Sequence, residues 1–284
     1  MQFALSVAVD ATLITLVLAL AAFGLAVIYG LIGVINMGHG AMLTLGAYFT
    51  WAGVGAGLPF FLAVALAGLG VGLIGLAFEH LIIRHFYDRP FDTLLLTWAF
   101  FLITTELIKI VFGSDFRNVA SPVTGAWRVG DLNLPAYRTF VCMLTLVLIA
   151  GTALVFFKTN MGIKIRALIQ NREVASLLGL NIARTYKLVF FAGSCLAGLA
   201  GGLIAPMLSI DPYIGNVYLV RSFFVVLIGG IGQLLGGTIV GSFLVGGSET
   251  LFALFSSQVV AQTLVFVLAV VILRFRPAGL WGTR

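Results

Sequence analysis

The chain is 284 residues long, 61% hydrophobic and only 9% charged. A soluble domain carries about a quarter charged residues, so this composition excludes one and points to a polytopic membrane protein. The net charge of +6 sits in short loops between apolar runs, which is the mark of membrane topology and not of nucleic-acid binding.

Taken in chain order, the apolar runs fall at roughly 3–28, 29–52, 60–83, 91–112, 138–157, 187–208, 218–232, 236–254 and 258–274. They predict an all-α bundle of eight to nine transmembrane helices forming one domain over 1–284. The first run has neither a basic leader nor a small-residue cleavage site after a short helix, so it is expected to be a retained span. Cys142 and Cys195 lie in apolar surroundings and are expected to be free thiols.

Charge orients the runs. The loop RHFYDRP (84–90) sets Arg84 and Arg89 against Asp88, and the polar segment 158–187 holds six cations and one acid, so both are expected on the cytoplasmic side. The loop at 113–137, with Arg117 and Arg128 against Asp115 and Asp131, falls outside by parity, as does Asp211. The tail with Arg274, Arg276 and Arg284 returns to the cytoplasm. The N-terminus is then outside if 29–52 crosses completely.

Two segments are glycine-dense: IYGLIGVINMGHGAMLTLGAY (28–48) holds five and VVLIGGIGQLLGGTIVG (225–241) holds six. Dense glycine serves close helix packing or a helix interruption at a cavity, and one such segment in each half fits paired broken helices.

The segment KTNMGIKIRALIQNREVASLLGLNIARTYK (158–187) is too polar to span. Its apolar positions form two short amphipathic pieces, with Gly162 and Gly179 as breaks and Asn171 as a cap. Such an element can rest on anionic headgroups or dock into a groove of a partner protein.

At these residues the chain resembles the membrane permeases of ABC importers for branched-chain amino acids, urea and short amides. The resemblance covers almost the whole chain. It is carried by GLAVIYGLIGVINMGHGAMLTLGAY (24–48), MGIKIRALIQNREVASLLGLN (161–181), FAGSCLAGLAGGL (191–203), VVLIGGIGQLLGGTIVG (225–241) and the tail RPAGLWG (276–282). REVASLLG (172–179) is similar to the permease signature, with Val174 in place of the usual alanine. The resemblance implies that this stretch is a coupling helix seated on an ATPase, with Arg172, Glu173, Ala175 and Gly179 in that role. It also implies alternating access in a permease dimer, formed with a second homologous permease or with another copy. An extracellular or periplasmic solute-binding protein would serve it, in the bacterial inner membrane. RHFYDRPFDTLLLTWA (84–99) and VVILRFRPAGL (270–280) look closer to the urea-type branch. Ala41 stands where many relatives carry Glu after the His-Gly pair, which leaves the solute open. The chain has no G-x-x-x-x-G-K-[ST], so ATP is expected to bind a partner subunit and no cofactor is expected here.

Charge inside a bilayer needs a partner or a wet path. Glu106 and Lys109, three apart on one helix, are expected to pair. Asp10 is expected at the membrane interface by position, and Glu79 is expected to contact Arg84 or His85. Arg221 and Glu249 fall near the same depth and can pair across helices, as a structural bridge or as part of the pathway. Asn36 and His39 have no local ion. Either His39 bonds a freed carbonyl and stabilises a kink, or Asn36, His39 and Gly40 border the solute path. His80 and His85 lie at another level, so no metal site is expected. An ion-coupled secondary transporter of a small polar solute is the alternative class, although the acids lie near interfaces or beside cations. An enzyme is not expected, because the chain has no H-E-x-x-H, no G-x-S-x-G and no paired midplane carboxylates.

Overall fold

The computed structural model describes residues 2–129, 132–230 and 233–280, so Asp131, Gly232, Gly282 and Arg284 lie outside the described residues. Each of the nine apolar segments holds one helix. These are α1 (Gln2–Ile32), α2 (His39–Gly55), α3 (Phe60–Leu81), α4 (Pro90–Phe112), α5 (Ala136–Lys158), α8 (Ile182–Ile204), α9 (Ile214–Gly229), α10 (Gly236–Ala253) and α11 (Gln258–Phe275). The short α6 (Asn160–Gln170) and α7 (Arg172–Leu177) lie between α5 and α8. Among the described residues six helices are long and apolar enough to cross a membrane: α1, α3, α4, α5, α8 and α11. The helices α2, α9 and α10 pack among them.

Burial sorts the helices into a centre and a rim. The spanning part of α1 is 78% buried and that of α8 72%, against 17% for α11, so α1 and α8 form the centre and α11 presents an apolar face outward. Lipid offers no hydrophobic drive between helices, so the centre is held by close contact. Glycines provide it: Gly193 of α8 meets Ile28 and the Gly24 carbonyl of α1, Gly201 meets the Leu43 carbonyl of α2, and Gly68 of α3 meets Leu199 of α8.

The two ends separate by charge as the sequence predicts. Arg172 Nη1 lies 3.0 Å from Asp88 Oδ1, which joins the RHFYDRP loop to the 158–187 segment. At the other end Arg117 and Ile210 exchange backbone hydrogen bonds of 2.8 and 2.7 Å, which joins the 113–137 loop to the segment holding Asp211. That loop also contains an antiparallel pair, β1 (Ala126–Val129) and β2 (Leu132–Pro135), with Trp127 opposite Leu134. This small sheet departs from the all-α expectation.

Several boundaries differ from the expected ones. The first helix continues to Ile32 because Tyr29, Gly30, Leu31 and Ile32 extend its apolar face, so the interruption falls at 33–38. The eighth helix begins at Ile182, capped by Asn181, whose side chain accepts the Arg184 N–H, so 182–187 belong to a span and not to the coupling segment. Gly162 is not a break. It lies in the first turn of α6 against the Phe156 carbonyl, and the chain bends one turn earlier at Thr159, which caps α6.

Candidate functional site: a broken helix, a charged cavity and a docking helix

The first interruption starts at Gly33, whose φ of +78° suits a residue without Cβ. The chain then runs without helix to Gly38, and α2 begins at His39. The His39 Nε2 donates to the Ala21 carbonyl at 2.7 Å, since a carbonyl can only accept. Ala21 lies 11 residues before the end of α1, about 16 Å along its axis, so α2 begins deep within the bundle. The free backbone groups of the break are met by Thr97 of α4: Met37 N–H donates to its hydroxyl at 3.1 Å, and that hydroxyl lies 3.3 Å from the Ile35 carbonyl.

Asn36 and His39 are both fully buried. Asn36 Nδ2 reaches only the Met42 sulfur at 3.9 Å, and Asn36 Oδ1 and His39 Nδ1 have no partner among the described residues. Gly40 packs backbone to backbone on Gly215 of α9, and Thr44 fixes the crossing by accepting the Gly215 N–H at 3.1 Å. His39 thus meets α1 and Gly40 meets α9, and none of Asn36, His39 and Gly40 lines the charged cavity described next. Of the two readings open for His39, the geometry matches the bond to a backbone carbonyl.

The second interruption mirrors the first in kind. Gly230 has φ of +104° at the end of α9, and the tail closes over it: Leu280 N–H donates to the Ile228 carbonyl at 2.8 Å, with Gly279 against Gly230. The tail motif and the second glycine-rich motif thus form one structural unit.

Arg221 and Glu249, singled out by depth alone, are brought together. Arg221 Nη2 lies 2.9 Å from Glu249 Oε1, and Gln258 Nε2 donates to the same oxygen at 2.6 Å. The pair lines a cavity of about 330 Å³, with Arg138, Tyr218 and Gln258 as further polar lining. Arg138, Tyr218 and Gln258 were not legible as site residues. Arg138 had one usable signal, a cation at the end of the bundle where cations are scarce.

Glu106 and Lys109 pair at 2.6 Å as expected. Asp10 is exposed. Glu79 corrects the expectation: it is fully buried and accepts the Tyr87 hydroxyl at 2.7 Å, whereas Arg84 turns to His80 and His85, each at 3.2 Å. The aromatic residue of the same loop reaches the acid because the loop folds beneath α3.

In the 158–187 segment, α6 buries Ile165 and Leu168 against the bundle, and Asn171 caps α7 by accepting the Val174 N–H at 3.0 Å. Gly179, at φ of +81°, ends α7, and Leu180 N–H returns to the Ala175 carbonyl at 3.1 Å. Ala175 faces inward, fully packed, while Leu177 is 86% and Leu178 76% exposed. Arg172 ties the helix to Asp88 and lies over the Tyr186 ring at 5.6 Å. Arg172, Glu173 and Ala175 therefore share one short helix, which Gly179 terminates, anchored behind and apolar in front.

Six long apolar helices, two glycine breaks and a short exposed helix at the basic end define, among the described residues, a multi-pass membrane protein. The family described as branched-chain amino acid transport system / permease component matches residues 7–274, and the chain belongs to it. It is 27% identical to the high-affinity branched-chain amino acid transport system permease protein LivH of Salmonella typhimurium, over 93% of this chain and 91% of the relative. It is 26% identical to BraD of Pseudomonas aeruginosa over 93% and 91%, and 24% identical to a probable LivH of Methanocaldococcus jannaschii over 93% and 88%. The chain is thus a multi-pass bacterial inner-membrane permease.

Proposed function

We propose that the chain is the permease subunit of an ATP-driven importer of a branched-chain amino acid. The named activity of LivH and BraD supports the solute class. The observation that carries the energy coupling is α7: a capped helix at the basic end, with Leu177 and Leu178 exposed on its outer face. Two adjacent exposed leucines on a rigid short helix suit insertion into a groove of a protein partner, here an ATPase subunit.

In this reading a binding protein delivers solute at the opposite end, and a second homologous permease completes the path. ATP-driven closure of two ATPases moves α7. Arg172, through Asp88 and Tyr186, passes that motion to the loop before α4 and to α8. Because α8 packs on α1, α2 and α3 by backbone contact, a shift of α8 moves the centre as a unit and exchanges access between the two sides. Arg221 and Glu249 lie on the solute path. His39 and Gly40 stand apart from that cavity and hold the start of α2 inside the bundle, through the Ala21 carbonyl and the Gly215 backbone.

The test is the coupling helix. Gly179→Trp, which cannot keep a positive φ without strain, or Glu173→Pro is expected to leave the permease inserted while abolishing solute-stimulated ATP hydrolysis in the reconstituted complex. Undiminished stimulation contradicts the assignment.

A further inference from the structure

The cavity at Arg221 has an uneven charge count. Two arginines, Arg138 and Arg221, and one acid, Glu249, line it. Arg221 is matched by Glu249 at 2.9 Å, whereas Arg138 has no carboxylate within 4.0 Å among the described residues. The acid is also unevenly used. Glu249 Oε1 holds both the Arg221 ion pair and the Gln258 hydrogen bond, and Oε2 accepts no hydrogen bond from the described residues.

The cavity therefore offers one uncommitted guanidinium and one uncommitted carboxylate oxygen. Its remaining wall combines the neutral polar groups of Tyr218, Thr250 and Gln258 with an aliphatic side made by Ile14, Val17, Leu18 and Leu208. At about 330 Å³ it falls at the lower end of the ~300–1,000 Å³ range of small-molecule sites. A neutral solute such as urea would leave the Arg138 charge without a counter-charge in a partly apolar space, which is costly. A carboxylate matches the excess positive charge at Arg138, and an ammonium group beside it can donate to Glu249 Oε2. A zwitterion with an aliphatic side chain meets all three features at once.

Resting on the proposed import of a branched-chain amino acid, we propose that this cavity is a recognition site within the permease itself. Arg138 receives the α-carboxylate of the solute, Glu249 Oε2 receives its ammonium group, and Ile14, Val17 and Leu18 contact its side chain. The permease then selects its solute a second time, after the binding protein.

The test uses the assembled permease–ATPase complex in lipid nanodiscs without binding protein or ATP. Binding of radiolabelled leucine is measured, with two competitors: leucinamide, which keeps the ammonium and lacks the carboxylate, and 4-methylpentanoate, which keeps the carboxylate and lacks the ammonium. Arg138→Gln is expected to weaken leucine and 4-methylpentanoate by about tenfold or more and leucinamide by less than about twofold, the loss of one charged hydrogen bond. Arg138→Lys should recover part of the loss. Retained leucinamide binding shows that the variant is folded. Equal weakening of all three compounds, or unchanged leucine binding in Arg138→Gln, overturns the proposal. Wild-type complex that imports leucine with its binding protein yet shows no direct binding overturns the proposal alone. Absence of leucine import by the wild type overturns the functional reading with it.

Discussion

Met37 donates its backbone N–H to the hydroxyl of Thr97 at 3.1 Å, so a side chain from α4 satisfies the break between α1 and α2. Inside a bilayer an unpaired backbone group has no water to fall back on. Thr97→Val keeps the shape, removes the acceptor, and is expected to cost about 1–3 kcal/mol. Thermal unfolding of the purified complex should show a lowered Tm for Thr97→Val and a near-normal one for Thr97→Ser.

Arg221 and Glu249 form a pair in which the acid side chain is only 6% exposed. Arg221→Ala leaves that acid with Gln258 alone, and breaking one side of a buried pair costs about 3–5 kcal/mol. Uptake and the folded fraction should both fall. The exchange Arg221→Glu with Glu249→Arg should recover folding at least in part, and uptake measured on the folded fraction then reports the transport role separately.

How much of this could be read from the residues differs by feature. The nine apolar segments were legible because a bilayer imposes length and hydropathy on each span, and the coupling segment because Asn171 and Gly179 punctuate a basic amphipathic run. The Arg221–Glu249 pair followed from counting crossings, which places both at one depth. The first run is expected to end at residue 28, whereas apolar content carries α1 to Ile32, and the features that fix the break are distant in sequence: Ala21 for His39 and Thr97 for Met37. Glu79 was paired with the wrong neighbours for the same reason, since charge favoured Arg84 while the fold presents Tyr87. Arg138 became meaningful only once helices from both halves of the chain converged on one cavity.

Gly215 meets the Gly40 carbonyl where α9 crosses the start of α2, so a Cβ there overlaps backbone that cannot swing away. Gly215→Ala should force the two helices apart, at about 1–3 kcal/mol or more. Gly151 of α5 faces open space, and Gly151→Ala should leave stability unchanged or slightly raised. Thermal unfolding of both variants under one condition makes the comparison.

Tyr87 is the hydrogen-bond partner of buried Glu79 among the described residues. Tyr87→Phe removes that donor and should destabilise the basic end by about 1–3 kcal/mol. Burial, with the bond to Glu79 second, raises the Tyr87 phenol above its ordinary value of 10.0. A proton held more tightly in the folded state stabilises fully below the unfolded pKa only in relative terms: as pH rises past about 10 the unfolded phenol ionises first, and stability falls. Alkaline unfolding followed by the tyrosinate absorbance should show Tyr87 ionising with the unfolding transition, and that contribution should vanish in Tyr87→Phe.

The most direct measurement of the central claim is accumulation of radiolabelled leucine in proteoliposomes holding the permease complex, its ATPase subunits and its binding protein. The account predicts accumulation that requires ATP, is lost in Gly179→Trp, and persists when proton and sodium gradients are collapsed by ionophores. Accumulation driven by an ion gradient in the absence of ATP and ATPase subunits would contradict it and place the chain among ion-coupled secondary transporters.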